Sequence, residues 1–142
     1  MVLDLEPEII KGNCFIDERG KLLYNNSFDA DKVRRLYSIE NKDVNFHRGW
    51  QGHKIQQRWF QVLTGSFEIR LIKLDNWYKP SKNLEQITFR IDYSKMDVLH
   101  VPKGFANCIK AIEDNSKLLV MSDYLFGVVD DEYKFDSDYF KI

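Results

Sequence analysis

The chain is poor in cysteine, has no excess of charge of either sign, and contains no long apolar run. Each absence removes a class of protein. Cys14 and Cys108 lie far apart with no Cys-x-x-Cys spacing, which predicts reduced thiols rather than a disulfide framework or a metal knot. Lysine and arginine number 21 against 22 acids, a formal net charge of −1, so no basic face is on offer for a polyanion and a general nucleic-acid partner is disfavoured. No stretch approaches the roughly 18 apolar residues of a membrane span. The opening Met1-Val2-Leu3-Asp4-Leu5-Glu6-Pro7 has acids where a secretory signal needs basic residues. The expectation is a cytoplasmic protein with no membrane association. What remains is ordinary: 142 residues, 44% hydrophobic and 30% charged, the composition and length of one domain spanning residues 1–142 with its own core.

The apolar residues recur mainly with period two. Ile9-Ile10, Cys14-Phe15-Ile16 and Lys21-Leu22-Leu23-Tyr24, with Asp17-Glu18-Arg19-Gly20 between the last two, read as an opening hairpin. Val33 to Ile39 reads as a strand with Val33, Arg35, Tyr37 and Ile39 on one face. Trp59 to Leu63 and Phe67 to Leu74, broken at Thr64-Gly65, form a second hairpin, and Ile87 to Tyr93 alternates most cleanly of all. Val98 to Val101 runs into the turn Pro102-Lys103-Gly104, and Ala106 to Ile112 and Lys117 to Met121 flank a turn at Glu113-Asp114-Asn115-Ser116. Many short strands with turns about every ten residues predict an all-β sandwich or jelly-roll barrel. The tail from Asp130 to Ile142 is expected as a short helix or an arm, with Asp130-Asp131-Glu132 a solvated turn.

Chemistry concentrates in Phe46-His47-Arg48-Gly49-Trp50-Gln51-Gly52-His53-Lys54, which holds two imidazoles, a guanidinium, an indole and a carboxamide. Its glycines allow a kinked strand or close backbone approach. His53 has the ordinary affinity for a proton that suits transfer near neutrality. A guanidinium such as Arg48 is a fork for phosphate oxygens. His47 is expected on the opposite face, and His100, just before the Pro102 turn, as a half-buried packing residue. Trp50 and Trp59 read as core or rim aromatics able to stack on a base.

Arg48-Gly49-Trp50-Gln51-Gly52-His53-Lys54, Leu99-His100-Val101-Pro102-Lys103-Gly104-Phe105-Ala106-Asn107 and Ser122-Asp123-Tyr124, in this order, resemble the cupin enzymes that remodel nucleotide-linked deoxysugars. These are the dTDP-4-dehydrorhamnose 3,5-epimerases and, more closely, the WxcM-like dTDP-4-keto-6-deoxyhexose 3,4-ketoisomerases. The resemblance implies a cupin-like jelly-roll β-barrel, a homodimer, a dTDP-linked deoxysugar as substrate, no metal and no cofactor. It places Arg48 and Arg58 at the diphosphate, Arg58 standing where the epimerases carry a substrate-side lysine, and Asn107 where they carry a histidine. Gln51 stands at their catalytic histidine, and His53 at the second member of the ketoisomerases' His-x-His pair. The acid tyrosine aligns with Leu119, with Tyr37 and Tyr124 as nearby substitutes. The positions that hold metal in other cupins carry Gln51, His53, Gln57 and Asn107, a poor donor set for a first-row metal.

The expected catalytic positions are therefore His53, Tyr37 and Gln51, and the expected substrate contacts Arg48, Arg58, Trp50, Asn107 and Tyr124. The implied activity is proton transfer beside the ketone of a dTDP-linked 4-keto-6-deoxy sugar. A carboxamide at Gln51 cannot take a proton at neutral pH, so the rival is a nucleotide-sugar-binding cupin without catalysis. A metal-free cupin for an unrelated carboxylate or phosphate is a third reading.

Overall fold

A computed structural model describes residues 5–142; Met1 to Asp4, the start of the acidic N-terminal stretch, lie outside the described residues. Among the described residues the regular structure is entirely β: β1 (Glu8–Ile10), β2 (Asn13–Asp17), β3 (Gly20–Tyr24), β4 (Arg35–Ile39), β5 (His47–His53), β6 (Arg58–Thr64), β7 (Ser66–Lys73), β8 (Ile87–Asp92), β9 (Val98–Val101), β10 (Phe105–Ala111), β11 (Lys117–Ser122) and β12 (Tyr133–Lys134). They form two five-stranded antiparallel sheets, ordered β1-β9-β6-β11-β4 and β12-β5-β10-β7-β8, with β2-β3 a separate hairpin. This is the expected cupin-like jelly roll. Among the described residues no helix is long and apolar enough to cross a membrane.

Period-two patterning decides what the sheets enclose. Phe60, Val62, Phe67, Ile69, Leu99 and Val120 meet between them in the main core. A second cluster of Trp50, Ile72, Leu74, Ala106, Cys108 and Phe140 forms where the C-terminal arm lies over the outside of the β5 sheet. A third, around Trp59, Val98 and Met121, backs the β6 sheet. Burial pushes the Cys108 thiol up to about 11, and both cysteines are free, as expected.

Three expectations need correction. Ile9-Ile10 does not belong to the opening hairpin: β1 pairs with β9 (Ile9 opposite Leu99), whereas β2 and β3 pair with each other. Val33 does not share a face with Tyr37 and Ile39. The strand begins only at Arg35, and Val33 packs on the Trp59 cluster while Tyr37 and Ile39 pack on the main core. The turn Asp130-Asp131-Glu132 is not solvated throughout, since Asp131 is 1% exposed. The tail takes the arm alternative: β12 pairs with β5, and Trp50 and Phe135 exchange both backbone hydrogen bonds.

The β5-β10 pair carries a bulge. Gln51 faces Asn107 and Gly49 faces Cys108, so Trp50 has no opposite number. One extra residue reverses the alternation beyond it: Arg48, five positions from His53, now stands opposite the inward-packed Ile109, on the face shared by Gln51 and His53. Gly49 is required by proximity. A Cβ there would sit 2.7 Å from the Cys108 Cα and 2.9 Å from the Asn107 carbonyl oxygen, both backbone atoms that cannot swing away. Gly49→Ala should lower stability by about 1–3 kcal/mol, read as a fall in urea midpoint at unchanged m-value.

Candidate functional site

Between the open ends of the two sheets lies a cavity of about 730 Å³, large enough for a drug-sized ligand. The β5-β10 wall contributes Arg48, Gln51, His53 and Asn107; the facing wall contributes Tyr37, Arg58 and Phe60; and the arm closes one side with Lys134 to Ser137. Seven of the eight residues expected at a site by chemistry and resemblance thus line one cavity, Trp50 only at its border, while Tyr124 does not. Trp50 borders the cavity, but its indole belongs to the outer cluster, 1% exposed and edge-on to Phe140 at 5.2 Å between centroids, so it presents no face to a base. Tyr124 sits in the loop after β11, outside the lining, with its N–H directed to the Ser122 hydroxyl at 3.4 Å. Leu119, the position aligned with an acid tyrosine, packs with the Trp59 cluster on the far side of its sheet. Of the two substitutes, Tyr37 alone reaches the cavity.

His53 is 4% exposed. Its Nδ1 lies 3.1 Å from the Asp131 carbonyl oxygen. A carbonyl only accepts, so Nδ1 carries the proton and donates it, and in the neutral ring Nε2 is left with the lone pair. Burial, reinforced by the Arg58 guanidinium, lowers the pKa from 6.5 to about 4, against a smaller opposing pull from Asp131. The ring is therefore a neutral base throughout the physiological range.

Asp131 builds this arrangement. Its Oδ1 accepts the Lys54 and Ile55 N–H groups at 2.8 and 2.9 Å and its Oδ2 the Gln56 N–H at 2.7 Å. A single carboxylate thus ties down the chain segment following His53 while its own carbonyl orients the ring. Nothing in the sequence announced this role, because an acid between two acids carries no local sign of burial.

Arg58 is the other buried ion, 3% exposed. Its Nη1 donates to the Gln56 carboxamide at 2.8 Å and to the Ser122 hydroxyl at 2.5 Å, both neutral, while its buried Nε has no hydrogen-bond partner. Burial lowers its pKa, and the Tyr37 hydroxyl opposes that by charge and hydrogen bonding. Among the described residues no carboxylate forms an ion pair with Arg58, and its guanidinium borders the cavity. Arg48, by contrast, is exposed at the rim; its Nε donates to the Asn41 carboxamide at 3.0 Å, and Asn41 is held by its own bond to the Ile109 carbonyl at 3.0 Å.

His47 pairs with Lys110 on the face opposite Arg48, though it borders the cavity's outer end. His100 stacks on Trp59 at 5.4 Å and its Nε2 donates to the Gln57 carboxamide oxygen at 2.6 Å; it is the half-buried packing residue expected. Gln57, further tied to Asp123 at 3.1 Å, is absent from the cavity lining, so the four positions that match metal ligands in other cupins do not converge.

No protein-family model and no curated protein matches the chain, but solved structures do. A double mutant of the QdtA 3,4-ketoisomerase from Thermoanaerobacterium thermosaccharolyticum, solved with TDP, is 21% identical over 97% of this chain and 94% of that one, with a TM-score of 0.69. The WlaRB TDP-quinovose 3,4-ketoisomerase from Campylobacter jejuni is 23% identical over 90% and 92%, at 0.62. The dTDP-4-dehydrorhamnose 3,5-epimerase from Bacillus anthracis, with TDP and PPi bound, is 16% identical over 89% and 77%, at 0.71. The fold is shared. These are the two groups that the sequence motifs resemble.

The depressed His53 pKa has a measurable consequence for folding. The unfolded chain takes up this proton near pH 6.5 and the folded chain only near 4, so between those values the unfolded state binds more protons and stability falls as pH falls. At about 1.4 kcal/mol per pH unit the full loss is on the order of 3 kcal/mol. His100, also lowered by burial, acts in the same sense. Urea midpoints of the wild type should drop from pH 6.5 to 4.5, and His53→Gln should flatten much of that slope; an equal slope in both would refute the assignment.

Proposed function

We propose that this protein is an isomerase or epimerase of a dTDP-linked 4-keto-6-deoxy sugar, working by proton transfer at carbon next to the ketone. The supporting observation is His53: a buried neutral imidazole whose Nδ1–H is spent on Asp131, leaving Nε2 basic in a cavity that also holds an open guanidinium and a tyrosine. In the proposed step Nε2 takes the proton, the C–H electrons become the enolate double bond, and the carbonyl π electrons move onto oxygen. Arg58 stabilises that oxygen from inside the cavity. Delivery of a proton to the opposite face of the same carbon, or to the former carbonyl carbon while the neighbouring hydroxyl gives up its own proton, completes the epimerisation or the ketone shift. Tyr37, beside Arg58, is the acid that exchanges a proton with the oxygen. Arg48, at the rim, meets the diphosphate. Assigning Arg58 to the developing oxyanion rather than to the diphosphate follows from its depth and its closeness to His53; most of the rate would come from such fixed dipoles and charges and from positioning.

The protein would act as one domain, in the cytoplasm, as a homodimer without metal or cofactor. The detached β2-β3 hairpin supports a second copy: a lone hairpin is marginal in water, and Phe15, Ile16 and Leu22 on it are 52%, 65% and 60% exposed. Light scattering at micromolar concentration should give twice the monomer mass.

The activity is tested by incubating the protein with TDP-4-keto-6-deoxyglucose in deuterated water. Deuterium at a ring carbon next to the ketone is the expected result; none, with folded protein that binds TDP, would leave the binding module as the better reading. That second reading draws on Gln51 and Asn107, two carboxamides directly opposite one another in the cavity wall, which can hydrogen-bond a sugar but not take its proton.

A further inference from the structure

The loop of residues 123–132 between β11 and β12 reaches both proposed catalytic groups, His53 directly and Tyr37 through Arg35. Near its start, Phe126 lies against the Arg35 guanidinium, 4.9 Å from ring centroid to the central carbon, and the same guanidinium covers the Tyr37 ring at 4.6 Å. Arg35 thus contacts two aromatic rings, one in the loop and one in the cavity wall. Near its end, Asp131 holds His53 through its carbonyl and the following backbone through its carboxylate. Phe126 itself is 78% exposed. A phenylalanine so open to water adds little to the core, which makes its contact with Arg35 the feature that needs a reason.

We infer that this loop is the positioning element of the site, with Phe126 setting Tyr37 through Arg35 and Asp131 setting His53. A partly buried guanidinium in contact with both rings couples them, so Phe126 limits how far Arg35, and with it the Tyr37 ring beside Arg58, can turn. His53 is held in one tautomer by a carbonyl whose own place is secured by three N–H bonds to the Asp131 carboxylate. Acid and base therefore share one mechanical support, and a displacement of the loop alters both together. The inference rests on the proposed proton-transfer reading for its catalytic consequence, though the control of the His53 tautomer stands apart from it.

The test compares Phe126→Ala, Phe126→Leu, Phe126→Tyr and Asp131→Asn in the full chain. Phe126→Ala and Phe126→Leu should lower kcat for deuterium exchange by about threefold to tenfold with KM unchanged, and Phe126→Tyr, which keeps the aromatic face, should restore it. Asp131→Asn should lower kcat by roughly tenfold to a hundredfold and, in the nitrogen NMR of the His53 ring, convert a single Nδ1–H form into a mixture of tautomers. Wild-type kcat in Phe126→Leu, or no difference between Leu and Tyr, overturns the Phe126 part. An unchanged His53 tautomer in folded Asp131→Asn overturns the Asp131 part. If the wild type exchanges no deuterium, the functional reading fails, and the positioning claim reduces to the His53 ring, which the NMR comparison still decides.

Discussion

His53→Gln should abolish deuterium incorporation, lowering kcat by about a hundredfold to ten-thousandfold, the range a positioned general base supplies. TDP affinity, measured by calorimetry, should change by less than about threefold, because His53 lies deep in the cavity and the diphosphate contact is proposed at the Arg48 rim. The pH profile sharpens the expectation. With the wild-type imidazole ionising at about 4, kcat/KM should hold level as pH falls through 6.5 and decline only toward 4, where the base becomes protonated. An inflection near 6.5 would show that His53 is not the working base. Full activity in His53→Gln would remove the proposed mechanism altogether.

The second large effect concerns Arg58, and it separates stability from activity. Burying a guanidinium that makes no ion pair with a carboxylate among the described residues is costly to the fold, and the groups it leaves behind can satisfy each other: the Ser122 hydroxyl already donates to the Gln56 carboxamide at 2.8 Å. Arg58→Met fills a similar volume without the charge. It should leave the unliganded protein as stable as the wild type or more stable by about 1 kcal/mol or more, while lowering kcat by about a hundredfold to a thousandfold through loss of the charge facing the enolate oxygen. Denaturant titration beside the exchange assay reads both quantities. A variant that lost stability and kept its rate would show that Arg58 serves the fold and not the reaction. The pattern expected is that of a site maintained at the expense of stability.

The hydrophobic alternation of the strands was sufficient for the fold class, because a residue's face in a sheet is a local property with period two. Ile87 to Asp92 and the runs either side of Gly65 appear where the pattern puts them; Gly65 has φ of +76° at the junction of β6 and β7, a value that side-chain-bearing residues avoid. Helix was absent from the expectation except as an option for the tail, where an acidic and aromatic composition does not distinguish a helix from an arm. Pairing with β5 and the packing of Phe140 on Trp50 decided it.

The motif from Arg48 to His53 lines the proposed site, yet strict alternation would put those two residues on opposite faces. The bulge at Trp50 brings them together and sends the indole outward, and a bulge depends on the partner strand β10, which no local pattern reveals. Which tyrosine faces the cavity, which tautomer His53 adopts and which arginine is buried were likewise decided by contacts between residues distant in sequence. Asp131 shows the division most clearly. By itself the sequence determined that an acid stands there, and its neighbours made it read as solvated; only the tertiary structure placed three backbone N–H groups around it, because burial of a charge is set by what the rest of the chain brings to it.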